Sequence, residues 1–196
     1  MTSRTDTMKK IKAVVIGSSA GGMDALTEIL KRLPAEFPVP ILAVQHLSPV
    51  SENYLVKHLD SICSLRIKEA DEKEQIRKGT AYFAPPNYHL LVEEDSSLSL
   101  SVEPRVNYSR PSIDVLFESA AIAFGSHLIG VILTGANNDG SKGLMKIKEA
   151  GGIAIVQSPA TAYVDSMPIA AIEKSDPQFI MSLSEIAQKL IELCSA

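Results

Sequence analysis

The sequence predicts an α/β fold: a doubly wound, mostly parallel sheet with helices on both faces and an antiparallel hairpin excursion at about residues 65–103. Three observations carry that expectation. Short apolar runs such as 13–16 and 41–44 lack period-two alternation, as strands do when helices cover both faces of a parallel sheet. Segments of helical length separate those runs. Between residues 65 and 103 the texture changes, and "GTAYFAPPNYHLLVEEDSSLSLSVE" alternates polar and apolar residues around turn clusters at Pro85-Pro86-Asn87 and Glu94-Asp95-Ser96.

Taken in order, residues 1–10 are polar and read as a disordered tail, leaving 11–196 as one catalytic-size domain. A strand at about 12–17 feeds a helix at about 22–32. The turn "LPAEFPVP" leads to a strand at 41–46 and a helix at about 51–60. After the excursion, Pro111 restarts the alternation: helix 112–124, strand 128–133, helix 141–150, strand 153–157, and helical segments near 168–174 and 183–194. The stretch 119–138 carries no Asp, Glu, Lys or Arg and is long enough to cross a bilayer. Gly125, Ser126 and His127 interrupt it, and its β-branched second half ends in a turn cluster, so it reads as a helix end, a loop and a buried strand.

Composition narrows the function. At 45% hydrophobic and 21% charged residues the 196-residue chain has a globular balance. Nineteen basic against 23 acidic residues give a net charge of -4 with no long run of either sign, so bulk electrostatics attract neither nucleic acid nor an anionic membrane. Cys63 and Cys194 lack metal-ligand spacing and follow no signal peptide, which fits free thiols in a cytoplasmic protein.

The chemistry concentrates where the first strand ends, in "VVIGSSAGGMDAL". Carboxyl ends of parallel strands gather loops and helix N-termini, the usual place for ligands and catalytic groups. A dinucleotide site fails here because the glycines are Gly17, Gly21 and Gly22 and the second strand ends in Gln45 and His46, not a carboxylate. A P-loop fails because Met23 stands where Lys would follow Gly22. Gly17-Ser18-Ser19-Ala20-Gly21 does satisfy G-x-S-x-G, which sets Ser19 on a sharp strand-to-helix turn. A plain tight turn with a capping Ser satisfies it equally.

A serine hydroxyl needs a base, and the base needs an orienting carboxylate. His46 ends the second strand, and Asp139 lies in "LTGANNDGSKG" directly after the strand 128–133, so all three side chains fall at one sheet edge if the strands are parallel. A structural His and a capping Asp remain the alternative. His58 reads as a helix-surface residue, His127 as a strand-start residue, and His89 as a hairpin residue placed to line a cleft.

Five blocks, "VVIGSSAGG", "AVQHLSP", "GTAYFAPPNYHLLV", "RPSIDVLFESAA" and "GVILTGANNDGSKGL", resemble in order and spacing the catalytic domain of the CheB family of chemotaxis protein-glutamate methylesterases. The resemblance runs from about Ile11 to the C-terminus. It implies a serine hydrolase that demethylates glutamate methyl esters on chemoreceptor signalling helices, and often deamidates receptor glutamines, with no cofactor or metal. By position, the family's catalytic Ser, His and Asp fall on Ser19, His46 and Asp139. Free amides near Ala20 and Gly21, and at Ala136 and Asn137, are the candidates for an oxyanion site. At family positions "NYSRPSID" borders the active site, so Arg110 is a candidate contact for an acidic receptor surface, or else a solvated Arg before a helix capped by Ser112.

Two departures stand out. Ala20 replaces the family's Thr, and Ala136-Asn137 replaces Met-Gly. Family members commonly carry an N-terminal receiver domain, whereas residues 1–10 alone precede the first strand, so the expectation is no phosphorylation control in cis, with a receiver protein or a methyltransferase as possible partners in trans. The competing expectations are a non-catalytic scaffold of a signalling complex and a hydrolase of another ester or amide.

Overall fold

The computed structural model describes residues 10–46 and 54–195. In chain order the elements are β1 (Ala13–Ser18), α1 (Gly22–Leu30), β2 (Ile41–Gln45), α2 (Tyr54–Ile62), β3 (Arg66–Glu69), β4 (Thr80–Phe83), β5 (His89–Val92), β6 (Leu98–Ser101), α3 (Ile113–Phe124), β7 (Leu128–Ile132), α4 (Ser141–Glu149), β8 (Ile153–Gln157), α5 (Ser166–Ser175), β9 (Phe179–Met181) and α6 (Leu183–Cys194). Seven parallel strands form one sheet, in the order β3-β4-β2-β1-β7-β8-β9.

Two apolar layers explain why the central strands lack alternation. Val14 and Ile16 of β1 point into a cluster with α1, α2 and α6, while Ala13 and Val15 point into a second cluster with α3, α4, α5 and the β5–β6 pair. Each central strand is therefore apolar at successive positions, the pattern of a sheet buried on both faces. The charge-free stretch 119–138 divides into the end of α3, a single 3-10 turn at Gly125–His127, and β7. No described helix is long and apolar enough to cross a membrane.

The excursion is smaller than its texture suggests. β5 and β6 form the expected antiparallel hairpin, but β3 and β4 pair with each other in parallel and β4 joins β2, so the first half of 65–103 extends the main sheet. Their partners run parallel because the loop 70–79 crosses over between them instead of turning back tightly. The short edge strand β9 also escaped the sequence pattern. It has three residues and pairs only with β8. The expected tail 1–10 and the start of the helix at 51–60 lie almost wholly outside the described residues, and α2 is described from Tyr54.

The order β2-β1-β7 fixes what meets at the carboxyl edge. Gly17 registers with Val44 on one side and Ile132 on the other. The loops after these three strands therefore lie side by side: Ser19 follows β1, His46 follows β2 and Asp139 lies in the loop after β7.

Candidate active site

Ser18 and Ser19 are neighbours with opposite fates. Ser18 is fully buried, and its hydroxyl donates to Gln45 Oε1 at 2.6 Å. Ser19 is half-buried, its amide is tied to Thr134 O at 2.9 Å, and its Oγ has no hydrogen-bond partner among the described residues. The second position of the pair is the one left open to react.

The turn is held by polar residues that end the strands. Gln45 Nε2 donates to the carbonyls of both Ser19 and His46, at 2.8 and 2.9 Å, which fastens the serine loop to the histidine. Thr134 Oγ1 donates to Ala20 O at 2.8 Å and accepts from Val164 N at 2.9 Å. Gln157, closing β8, accepts the Thr134 amide at 2.9 Å. The chain turns at Gly21, which has φ 77, and a Cβ there would lie 2.5 Å from that of Tyr163. A Cβ on Gly135 would come within 3.0 Å of Ser19 Cβ and 2.6 Å of Met167 Cε, so both loops must be small where they face the serine.

His46 Nε2 lies 2.9 Å from Asp139 Oδ2. Asp139 is completely buried and surrounded by donors. Oδ2 also accepts the Ile113 amide (2.7 Å), while Oδ1 accepts Ser112 Oγ (2.8 Å), Asn107 Nδ2 (2.9 Å) and, at 3.3 Å, the Asp114 amide. Burial by itself would raise the Asp139 carboxyl, but the hydrogen bonds from His46, Asn107 and Ile113 together outweigh it and hold it below its ordinary value. The carboxylate is thus kept charged in a dry site. Asp114 behind it moves the other way, raised by burial and then by the nearby Asp139 charge, and Asn107 spans the two carboxylates with its Nδ2, 2.8 Å from Asp114 Oδ2.

This arrangement changes one expected role. Ser112 occupies the N-cap position of α3, but its side chain caps nothing in its own helix; it turns to Asp139, whose carboxylate takes the first amides of α3 instead. Asp139 is a cap and a histidine partner at once. A helix N-terminus favours a negative charge, so capping and holding the His serve the same ionised state.

The four amides expected near an oxyanion divide between two loops. Those of Ala20 and Gly21 on one side, and of Ala136 and Asn137 on the other, find no acceptor among the described residues. The other two candidates lie elsewhere. Arg110 Nη1 clamps the carbonyls of Val102 and Glu103 at 2.7 and 3.1 Å, and its buried Nε has no partner among the described residues, so the guanidinium braces its own loop. His89 is buried, accepts the Ser112 amide at Nδ1 (3.1 Å) and faces Pro104 O with Nε2 (3.1 Å), so both nitrogens are occupied and it lines no cleft. His58 stacks on Tyr54 along α2, and His127 meets Lys10 O. Among the described residues no group of three or more His, Cys, Asp or Glu is placed to hold a metal ion.

The CheB methylesterase family model matches residues 14–190. The chain belongs to the CheB methylesterase family. A Leptospira interrogans protein provisionally named protein-glutamate methylesterase/protein-glutamine glutaminase is 52% identical over 182 residues, covering 93% of this chain and 94% of that protein. A Geobacter metallireducens protein-glutamate methylesterase/protein-glutamine glutaminase is 38% identical over 93% of this chain, which spans about half (52%) of that longer relative. The fold is similar to the crystal structure of the Thermotoga maritima CheB methylesterase catalytic domain, with a TM-score of 0.90, 38% identity, and coverage of 94% of this chain and 99% of that one.

Proposed function

We propose that this CheB-family chain is a protein-glutamate methylesterase that acts through Ser19, His46 and Asp139 on methylated glutamates of a chemoreceptor's cytoplasmic helical domain. The observation that carries this reading is the 2.9 Å contact between His46 Nε2 and the buried Asp139 carboxylate, on the loop beside the unengaged Ser19 hydroxyl.

An ionised carboxylate facing Nε2 accepts a hydrogen bond from it and so keeps the ring proton on Nε2, which leaves the lone pair on Nδ1. Nδ1 is then the atom that receives the Ser19 proton as Oγ attacks the ester carbonyl. Methanol leaves with that proton, giving an acyl-enzyme; His46 next draws a proton from water, and the carboxylate product departs as Ser19 is reprotonated. Asp139 stabilises the imidazolium that forms between the steps. The amides of Ala20 and Gly21, together with those of Ala136 and Asn137, supply donors for the oxyanion. A glutamine side chain passes through the same acyl-enzyme with ammonia as the leaving group, in keeping with the paired activities in the relatives' names.

The test is methanol release from a methylated chemoreceptor cytoplasmic fragment. Ser19→Ala is expected to abolish it. Ser18→Ala removes only the bond to Gln45 and is expected to keep kcat within a few-fold while lowering stability by about 1–2 kcal/mol. Loss of activity in Ser18→Ala with Ser19→Ala still active would reverse the assignment.

A further inference from the structure

Asp139, Asn137 and His46 close a ring of three polar contacts. The Asp139 amide donates to Asn137 Oδ1 at 3.1 Å, Asn137 Nδ2 lies 3.4 Å from His46 Nδ1, and His46 Nε2 lies 2.9 Å from Asp139 Oδ2. Each contact orients the next. Because an N–H holds the Asn137 oxygen, the amide must present its NH2 to the imidazole; because a carboxylate holds Nε2, the imidazole must present a lone pair at Nδ1. Donor therefore meets acceptor at Nδ1, and this is the lone pair that Ser19 needs. Ser19 Oγ, meanwhile, has no partner among the described residues.

Resting on the triad reading, we propose that Asn137 is a brake on the catalytic base, its side-chain amide occupying His46 Nδ1 until an acyl substrate displaces it. At 3.4 Å the contact is long enough to break readily. Asn137 is half-buried, so an arriving acyl group turns its side chain out toward water, which replaces the ring nitrogen as its acceptor. No bond is made or broken in this exchange. Nδ2 changes partner, and Ser19 inherits the lone pair. Asn137 is thus a positioning residue that makes full basicity conditional on an occupied site.

Asn137→Gly and Asn137→Ala both keep the backbone amide and remove the side chain, and together they separate the amide's effect from backbone freedom. Three quantities are measured on the full chain: kcat and KM for methanol release, the rate of stoichiometric labelling by a small fluorophosphonate, and the thermal unfolding midpoint. Labelling forms an Oγ–P bond at Ser19, breaks P–F, releases fluoride and passes the serine proton to His46, so it reads the base without the protein substrate. Both variants are expected to raise kcat/KM and the second-order labelling rate about two- to tenfold, the range set by one net hydrogen bond, with the gain carried by a lower KM because bound substrate has already displaced the amide. Folded variants in which either kcat/KM or the labelling rate is unchanged or lower overturn the brake. A native chain whose labelling persists in Ser19→Ala overturns the triad reading itself, and the two failures are therefore distinguishable.

Discussion

Asp139→Asn tests the site at its most constrained atom. The native carboxylate accepts at both oxygens, two donors at Oδ2 and three at Oδ1. An amide keeps one acceptor and turns the other oxygen into a donor. With Nδ2 in the place of Oδ2, it confronts His46 Nε2 and the Ile113 amide, and His46 relieves the clash only by moving its proton to Nδ1, where it can accept nothing from Ser19. With Nδ2 in the place of Oδ1, it confronts Asn107 Nδ2 and the Asp114 amide, and the remaining oxygen carries no charge to stabilise an imidazolium. The first orientation is expected to lower kcat by about 10⁴-fold, the cost of a wrongly protonated histidine in a serine triad, or about 5–6 kcal/mol of barrier, and the second to lower it more than tenfold through the lost charge. Stability changes as well, by about 2–4 kcal/mol near neutral pH, because buried donors lose a charged acceptor. The pH dependence has a definite sign. The Asp139 carboxyl is depressed in the folded chain, so its contribution is present above the unfolded Asp value of about 3.9 and is lost as pH falls through the lower folded value. The gap between native and variant in urea midpoints should be wide at about pH 7 and narrow below about pH 4. A folded Asp139→Asn chain within tenfold of native kcat, or a stability gap that ignores pH, would refute this account.

Two further outcomes follow from the packing around the site. Thr134→Val is close to isosteric but removes the hydroxyl that joins Ala20 O to the Val164 amide; unfolding free energy should drop by about 1–3 kcal/mol, with kcat falling as the serine loop loosens, measured by urea unfolding and methanol release. Burial pushes the Cys194 thiol up to about 12, so a thiol reagent at pH 8 should leave it unlabelled in the native chain and reach it only on unfolding; prompt native labelling would contradict its place in the core beside α1.

How much of the fold was legible depended on where the strands lie. The runs that became β1, β2, β7 and β8 are covered on both faces, so their unbroken apolar character is a direct record of burial. β3 carries a mixed pattern: in "RIKE" only Ile67 is fully buried, because β3 is the sheet's edge, whereas β4 inside it is buried throughout. Alternation records one wet face and says nothing of the partner's direction, and so an edge strand in parallel pairing read as a hairpin. β9 is shorter still, and no buried residue marks it.

The site was legible for a related reason and illegible where that reason ends. A buried strand has no use for a polar residue except at its carboxyl end, where the loops begin, and this chain ends β2 with Gln45, follows β7 with Thr134 and ends β8 with Gln157, all buried. Each staples neighbouring loops together, so a polar residue closing an apolar run marks the functional edge before any motif is matched. His46 follows one of these residues directly, and Asp139 lies in the loop that Thr134 opens. Asn107 had no such signal. It sits at φ 48 in a loop between β6 and α3, and it reaches Asp139 only because the chain folds back across the edge to start α3 there. Strand periodicity locates groups carried on the sheet, whereas groups brought over it by a crossing loop depend on tertiary distance. That same distance brings the side chain of Asn137 within 3.4 Å of His46 Nδ1, a contact that its position in the loop, which points only to its backbone amide, does not reveal.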